Sequence, residues 1–291
     1  MKHLKKLGVL SLLSILAFSN LQADAFVKVN QNTINTYYNA KADLVLGDNG
    51  SQDGTSILEV LQDKRNVIQE AKSDFLTKPV EDVKYFGIDV SSYQGDIDWK
   101  KVKEQGVDFV ILRAGVHSSV DGQLHKDTYF DEYYNECKKY GIPVGCYWFT
   151  RARSIPEAQT EADFFLDIIK GKQFEYPVCF DIESESLTNL SNTVLTNITV
   201  AFCNRVENAG YYVSIYTNPN WIDYHLIKGE LTIYDKWLAH WTDTPMYGKE
   251  FGGLWQSSGT GSCWGINGDV DIDYSYLDYP AIMYKANVNG F

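Results

Sequence analysis

The stretch YPVCFDIESES, residues 176–186, decides how this chain is read. Val178, Cys179 and Phe180 form a short apolar run of the kind that a strand covered on both faces shows. Asp181 and Glu183 follow, two positions apart. Strand side chains repeat every two residues, so both carboxylates face the same way.

Working outward, the segments on either side alternate. KYFGIDV reads as a strand, and DWKKVKEQG as a helix capped by Asp98 and stopped by Gly106. VDFVILRAG is a strand, TYFDEYYNECKKYG a helix and IPVGCYWFT a strand. SIPEAQTEADFFLDIIKG is a helix, with Ser154 at its cap and Pro156 in its first turn. After the central strand comes the helix NTVLTNITVAFCNRVENAG and the strand YYVSIYTN. Apolar strands alternating with amphipathic helices predict a parallel sheet in an α/β fold. Beyond Asn218 the rhythm shortens, and DKWLAHW, FGGLWQSS and DVDIDYS read as strands without helices between them. About eight strands in roughly 200 residues suit a small barrel, and the three missing helices make it irregular.

The first 84 residues differ from this. Residues 1–25 have a basic start (Lys2, Lys5, Lys6), an apolar run from Leu7 to Phe18 and a small-x-small end at Ala23-Asp24-Ala25. That pattern predicts a secretory signal peptide, and the run is too short to span a membrane comfortably. Its removal would take away three lysines and one aspartate and move the formal charge from −12 to −14. So acidic a chain, with scattered Lys and Arg, disfavours nucleic acid and anionic membranes as partners. Residues 26–84 are polar and carry one helical pattern, over 55–76, which reads as a spacer or pro-segment ahead of a domain spanning 85–291. The five cysteines (137, 146, 179, 203 and 263) show no zinc spacing. Their odd number prevents complete internal pairing; one disulfide stays open, and Cys146 and Cys179 read as buried thiols.

In a parallel barrel, functional groups gather where strands end. Asp89 closes the first strand, Asp181 and Glu183 the central one, and Asp269, Asp271 and Asp273 lie on the last. First and last strands adjoin in a closed barrel, which predicts Asp89 beside Asp271. Several carboxylates on one pocket cannot all ionise freely, so at least one keeps its proton near neutral pH. A protonated acid beside anions suits glycoside cleavage, and Glu183, with the longer reach, is the candidate general acid. D-x-E at a strand end is by itself a weak signal. Asp89 could equally be a turn residue before Ser91 and Ser92, and the Asp269–Asp273 run fails as an EF-hand because Tyr274 and Pro280 occupy its Gly and Glu positions. The aromatics Tyr147, Trp148, Tyr216, Trp221, Trp237, Trp241, Trp255 and Trp264 fall at or near strand ends, where rings stack on sugars. Trp148 and Trp237 read as core; Trp241 and Gln256 read as ligand contacts, one stacking and one hydrogen-bonding. His117, His125, His225 and His240 show no metal-ligand spacing, and no Ser-His-Asp order or G-x-S-x-G motif is present.

The segments GIDVSSYQGDIDW, FVILRAG, GCYWFT, FDIE, YVSIYTN, LWQSS and GDVDIDYS, in this order, resemble glycoside hydrolase family 25, the Chalaropsis-type lysozymes or N-acetylmuramidases, over about residues 84–280. The resemblance implies an irregular TIM-like barrel of five β/α units and three further strands. It implies hydrolysis of the β-1,4 bond between N-acetylmuramic acid and N-acetylglucosamine in bacterial peptidoglycan; no cofactor or metal is expected from the sequence. It places the catalytic glutamate at Glu183, its companion aspartates at Asp89, Asp181 and Asp271, and a sugar surface at Tyr147, Tyr216, Trp241 and Gln256. It also implies substrate assistance, with Asp181 orienting the 2-acetamido group. Asp273 stands where the family often has asparagine. Two further readings compete: a non-catalytic peptidoglycan-binding protein on the same barrel, and a hydrolase of another acetamido-sugar polymer. The D-x-x-D-x-D-x-E signature of chitinases is absent.

Overall fold

The computed structural model describes Asn66, residues 84–247 and residues 251–291. The expected signal peptide over 1–25 and the spacer over 26–84 with its helix lie outside these residues, apart from Asn66 and Lys84.

Five β/α units come first. They are β1 (Tyr85–Val90) and α1 (Trp99–Glu104); β2 (Phe109–His117), β3 (Leu124–Lys126) and α2 (Phe130–Lys139); β4 (Val144–Phe149) and α3 (Ile155–Ile169); β5 (Val178–Asp181) and α4 (Asn192–Asn208); β6 (Val213–Thr217) and α5 (Pro219–Tyr224). Then come β7 (Asp235–Ala239), β8 (Leu254–Gly261), β9 (Val270–Ser275) and α6 (Tyr279–Ala286). The order β1-β9-β8-β7-β6-β5-β4-β2, with β1 also paired to β2, closes an eight-stranded barrel, and β3 hangs on β2 as an antiparallel hairpin arm. The irregular (β/α)5(β)3 barrel is thus present, and the expected caps hold: Asp98 accepts from Lys101 N and Ser154 from Glu157 N.

One expectation needs correcting. The last strand is antiparallel to both of its neighbours, β8 and β1. A parallel return needs a crossover of a dozen or more residues, and the link from β8 to β9 is shorter. Asp271 therefore sits near the start of its strand, at the barrel end where the other strands finish. The short elements β3, α5 and α6 also lie beyond what periodicity revealed.

Alternation sorts each strand into two layers. Val178, Phe180 and Ile182 pack outward with the helices, in one cluster with Ile88, Val110, Leu112, Trp148 and Phe202. Cys179 faces inward with Phe109, Ile111, Tyr216, Trp237 and Leu254. Inside, Phe109 stacks on Tyr176 at 4.2 Å between centroids. Gly87 makes room for this pair: a Cβ there would lie 2.3 Å from the Phe109 ring. Below, α6 brings Tyr279, Ile282 and Met283 into the interior cluster and closes the barrel. Phe109→Ala removes a fully buried ring from this plug and is expected to cost about 3–5 kcal/mol, read as a lowered denaturant midpoint.

Outside, Glu161 of α3 is buried and accepts from Trp148 Nε1 (2.8 Å) and Thr150 Oγ1 (2.6 Å), with His117 Nδ1 at 2.6 Å. This network anchors α3 over β2 and β4 and gives His117 a structural partner. All five cysteines are buried and none is in a disulfide, so the bridge left open by the sequence is not formed.

Candidate active site

At the barrel end where β5 finishes lies a cavity of about 260 Å³. Asp89, Asp181, Glu183 and Asp271 all line it, together with Tyr147, Tyr216, Trp241 and Gln256. These four acids and four sugar-surface candidates are therefore brought to one place. The predicted register holds: Asp89 pairs directly with Asp271 across β1 and β9.

The carboxylates differ in their surroundings. Asp89 Oδ2 accepts from Gln256 Nε2 at 2.8 Å. Burial first, then the Asp273 and Asp271 charges, holds its pKa well above the usual carboxylate range. Asp181 is fully enclosed, and its Oδ1 has no hydrogen-bond partner. Burial and the Glu183 charge push its pKa well up, against Arg113 and Arg151. Glu183 is half-buried and takes one long hydrogen bond, from Asn218 Nδ2 at 3.3 Å. Burial raises its pKa, the Asn218 bond opposes the rise, and the Asp271 charge adds to it. Asp271 is lifted to about 6 by burial and then by Asp269. Like charges in a poorly hydrated pocket thus favour retention of protons, as the paired spacing anticipates.

The aromatic wall is built around Trp237. Tyr216 and Tyr147 meet its ring edge-on, at 4.5 and 5.9 Å between centroids. Trp237 is core, as read, but it also lines the cavity and donates to Asp273 Oδ1 at 2.8 Å. Trp241 is 63 % exposed, with one edge tied down by its Nε1, which donates to Gln256 Oε1 at 2.9 Å. The indole rests on Gly259, where a Cβ would lie 2.6 Å from the ring. Gln256 lines the cavity; its oxygen accepts from Tyr216 and Trp241 while its nitrogen donates to Asp89. It joins the stacking platform to the acid cluster. Trp264 and Trp255 do not line this cavity.

Two residues that contact the site escaped the sequence reading. Arg113 points into the cavity from β2 and pairs with buried Asp127, with Nη2 to Oδ2 at 2.7 Å; it also donates to Ser92 Oγ at 2.9 Å. Its guanidinium lies 4.9 Å from the Tyr93 ring. An arginine inside the apolar run FVILRAG was the available signal, because a buried cation needs a partner. Asn218 sits at the N-cap of α5 directly after β6 and turns its amide to Glu183. Nothing in its local sequence marks that role.

Comparisons with known proteins agree with this geometry. The family model described as glycosyl hydrolases family 25 matches residues 88–266. The autolytic lysozyme of Clostridium acetobutylicum is 29 % identical over 193 residues, 64 % of this chain and 54 % of that protein. Lysozyme M1 of Streptomyces globisporus is 30 % identical over 198 residues, covering 64 % and 65 %. The chain thus matches between about half and two thirds of the length of these relatives. The crystal structure of the bacterial lysozyme from Streptomyces coelicolor superposes with a TM-score of 0.56 at 26 % identity, covering 69 % of this chain and 97 % of that one. With its closed barrel and its family match over most of residues 85–291, this chain belongs to glycosyl hydrolase family 25.

Proposed function

We propose that the chain is a secreted N-acetylmuramidase that hydrolyses the β-1,4 bond between N-acetylmuramic acid and N-acetylglucosamine in bacterial peptidoglycan. The carrying observation is the pairing of two unlike acids at the end of β5. Glu183 is half-exposed with a raised pKa, and Asp181 is buried with one oxygen unpartnered. Relatives named as lysozymes support the substrate class.

Glu183, protonated, donates to the glycosidic oxygen as the bond to the anomeric carbon breaks. The carbonyl oxygen of the substrate's own 2-acetamido group attacks that carbon and forms a cyclic oxazolinium ion. The Asp181 carboxyl, which lines the cavity beside Glu183, is the natural acceptor for its N–H as the cation develops. Glu183, now ionised, takes a proton from the water that opens the ring, and the configuration is retained. Asp89 and Asp271 hold the pocket acidic, and Tyr147 and Tyr216 shape it. Trp241 presents the exposed face on which a sugar ring stacks. The signal peptide supplies the route out of the cell, and among the described residues no helix is long and apolar enough to cross a membrane.

Digestion of purified peptidoglycan, followed by borohydride reduction and mass spectrometry, tests the reading. Reduced muramic acid ends are expected. Reduced glucosamine ends would reject it, and intact glycan beside measurable binding would favour the non-catalytic alternative. Cleavage of chitin oligomers in preference to peptidoglycan would move the assignment to another acetamido-sugar polymer.

The stacking platform carries its own prediction. Trp241→Ala is expected to raise KM for glycan strands by up to roughly tenfold, since an aromatic face contributes about 0.5–1.5 kcal/mol beyond its contact area. Gly259→Val, which displaces the same indole, should move KM in the same direction. Steady-state kinetics on soluble glycan fragments checks both.

A further inference from the structure

Asp273 plays no part in the chemistry above, yet it is among the most enclosed polar groups of the molecule, at 0 % exposure. It lies in register with Gly87 on β1 and Gln256 on β8, directly under the cavity. Its Oδ1 accepts from Trp237 Nε1 at 2.8 Å. Its Oδ2 is buried with no hydrogen-bond partner, and the Asp89 carboxyl lies beside the Asp273 carboxyl. Asp89 in turn accepts from Gln256, and Gln256 accepts from Trp241 and Tyr216. Two adjacent carboxylates, both ionised, would repel at close range in a low dielectric.

We propose that Asp273 is a positioning residue that shares a proton with Asp89, so that one carboxyl–carboxylate pair links the Trp237 wall to the Gln256–Trp241 platform. The proposal rests on the active-site reading for what the platform does, but not for the shared proton itself. A single O–H between the two groups satisfies the orphaned Oδ2, removes one buried charge and fixes the Asp89 carboxyl against Gln256.

What acts on Asp89 is burial, Asp273 and Asp271, with only the Gln256 hydrogen bond favouring the ion. The other titratable groups close by are Asp271 on the same strand, Cys179 on β5, Tyr147 on β4 and Tyr216 on β6. Burial keeps the thiol and both phenols protonated, so none of them supplies a charge. Burial likewise lifts Asp273 to about 8.

The sign follows from proton linkage. A folded-state pKa above the unfolded value gives stability that is present at low pH and is lost as pH rises through the interval between the two. Wild type should therefore lose thermal stability relative to Asp273→Asn as pH rises from about 4, the unfolded aspartate value, toward about 8. The amide of the variant can donate to Asp89 and accept from Trp237 without any proton to lose. Infrared difference spectra near pH 6.5 should show one protonated carboxylic acid band in wild type that is missing from Asp273→Asn. Asp273→Leu, which can do neither, should lower kcat on peptidoglycan by roughly 10²-fold with KM little changed, and Asp273→Asn should recover most of that loss. Parallel stability profiles from pH 4 to 8 for wild type and Asp273→Asn, with no acid band lost, would overturn the proposal. Neither the stability nor the infrared measurement uses substrate, so failure of the muramidase reading leaves them intact.

Discussion

Glu183→Gln is expected to lower kcat on peptidoglycan by about 10²–10⁴-fold, with the fold and glycan binding retained, because one positioned proton donor supplies about that much. The amide keeps the shape of the side chain but has no proton acidic enough to assist a leaving alkoxide. Loss of activity alone would not separate a proton donor from a structural residue. The leaving group does. On an aryl glycoside whose phenol leaves without protonation, Glu183→Gln should lose far less than on the natural polymer. Equal losses on both substrates would mean that Glu183 is not the acid. The pH profile makes the same distinction. Burial raises the Glu183 pKa, so the active, protonated form is present below that value and is lost as pH rises through it. The basic limb of kcat should belong to this group and be absent from the residual activity of the variant.

Asp181→Ala is the second large effect, an expected loss of about 10²–10³ in kcat, the scale set by removing one preorganised electrostatic contact to a developing charge. The buried Oδ1 of Asp181 has no protein partner, which is costly unless something else fills that role. In the proposed course the Asp181 carboxyl, which lines the cavity, accepts from the acetamido N–H of the substrate. Asp181→Ala should therefore be severe on acetamido sugars, and its folded form should be no less stable than wild type. An NMR time course of the first-formed anomer gives the independent check. Retained configuration fits attack by the acetamido oxygen, whereas inverted product would remove it and turn Asp181 into a base for water.

How much of this was legible beforehand depended on the range of each interaction. Caps and strand alternation are local, and they placed Asp98, Ser154 and the two layers of β5 without a structure. Barrel closure is a global rule, but it needs only the first and last strand. It brought Asp89 to Asp271 correctly even though the direction of the last strand was misread. Direction depends on the length of the β8–β9 link, and apolar periodicity says nothing about it.

Gln256 shows where sequence reasoning stops. A polar residue at a strand end looks the same whether it meets a ligand or three neighbours. Only the fold shows it held by Asp89, Tyr216 and Trp241, from strands β1 and β6 and the segment after β7. Arg113 and Asn218 were hidden for the same reason, since their partners Asp127 and Glu183 lie 14 and 35 residues away.

By itself, then, the sequence determined the alternating elements, the family pattern and which acids stand at strand ends. Those features come from covalent order and from periods of two and 3.6 residues. Only the tertiary structure decided which acids are enclosed, which oxygen of Asp181 is unpaired and that Asp273 lies against Asp89. Protonation depends on solvent exclusion and on charges a few ångströms away, and those neighbours are assembled from strands far apart along the chain.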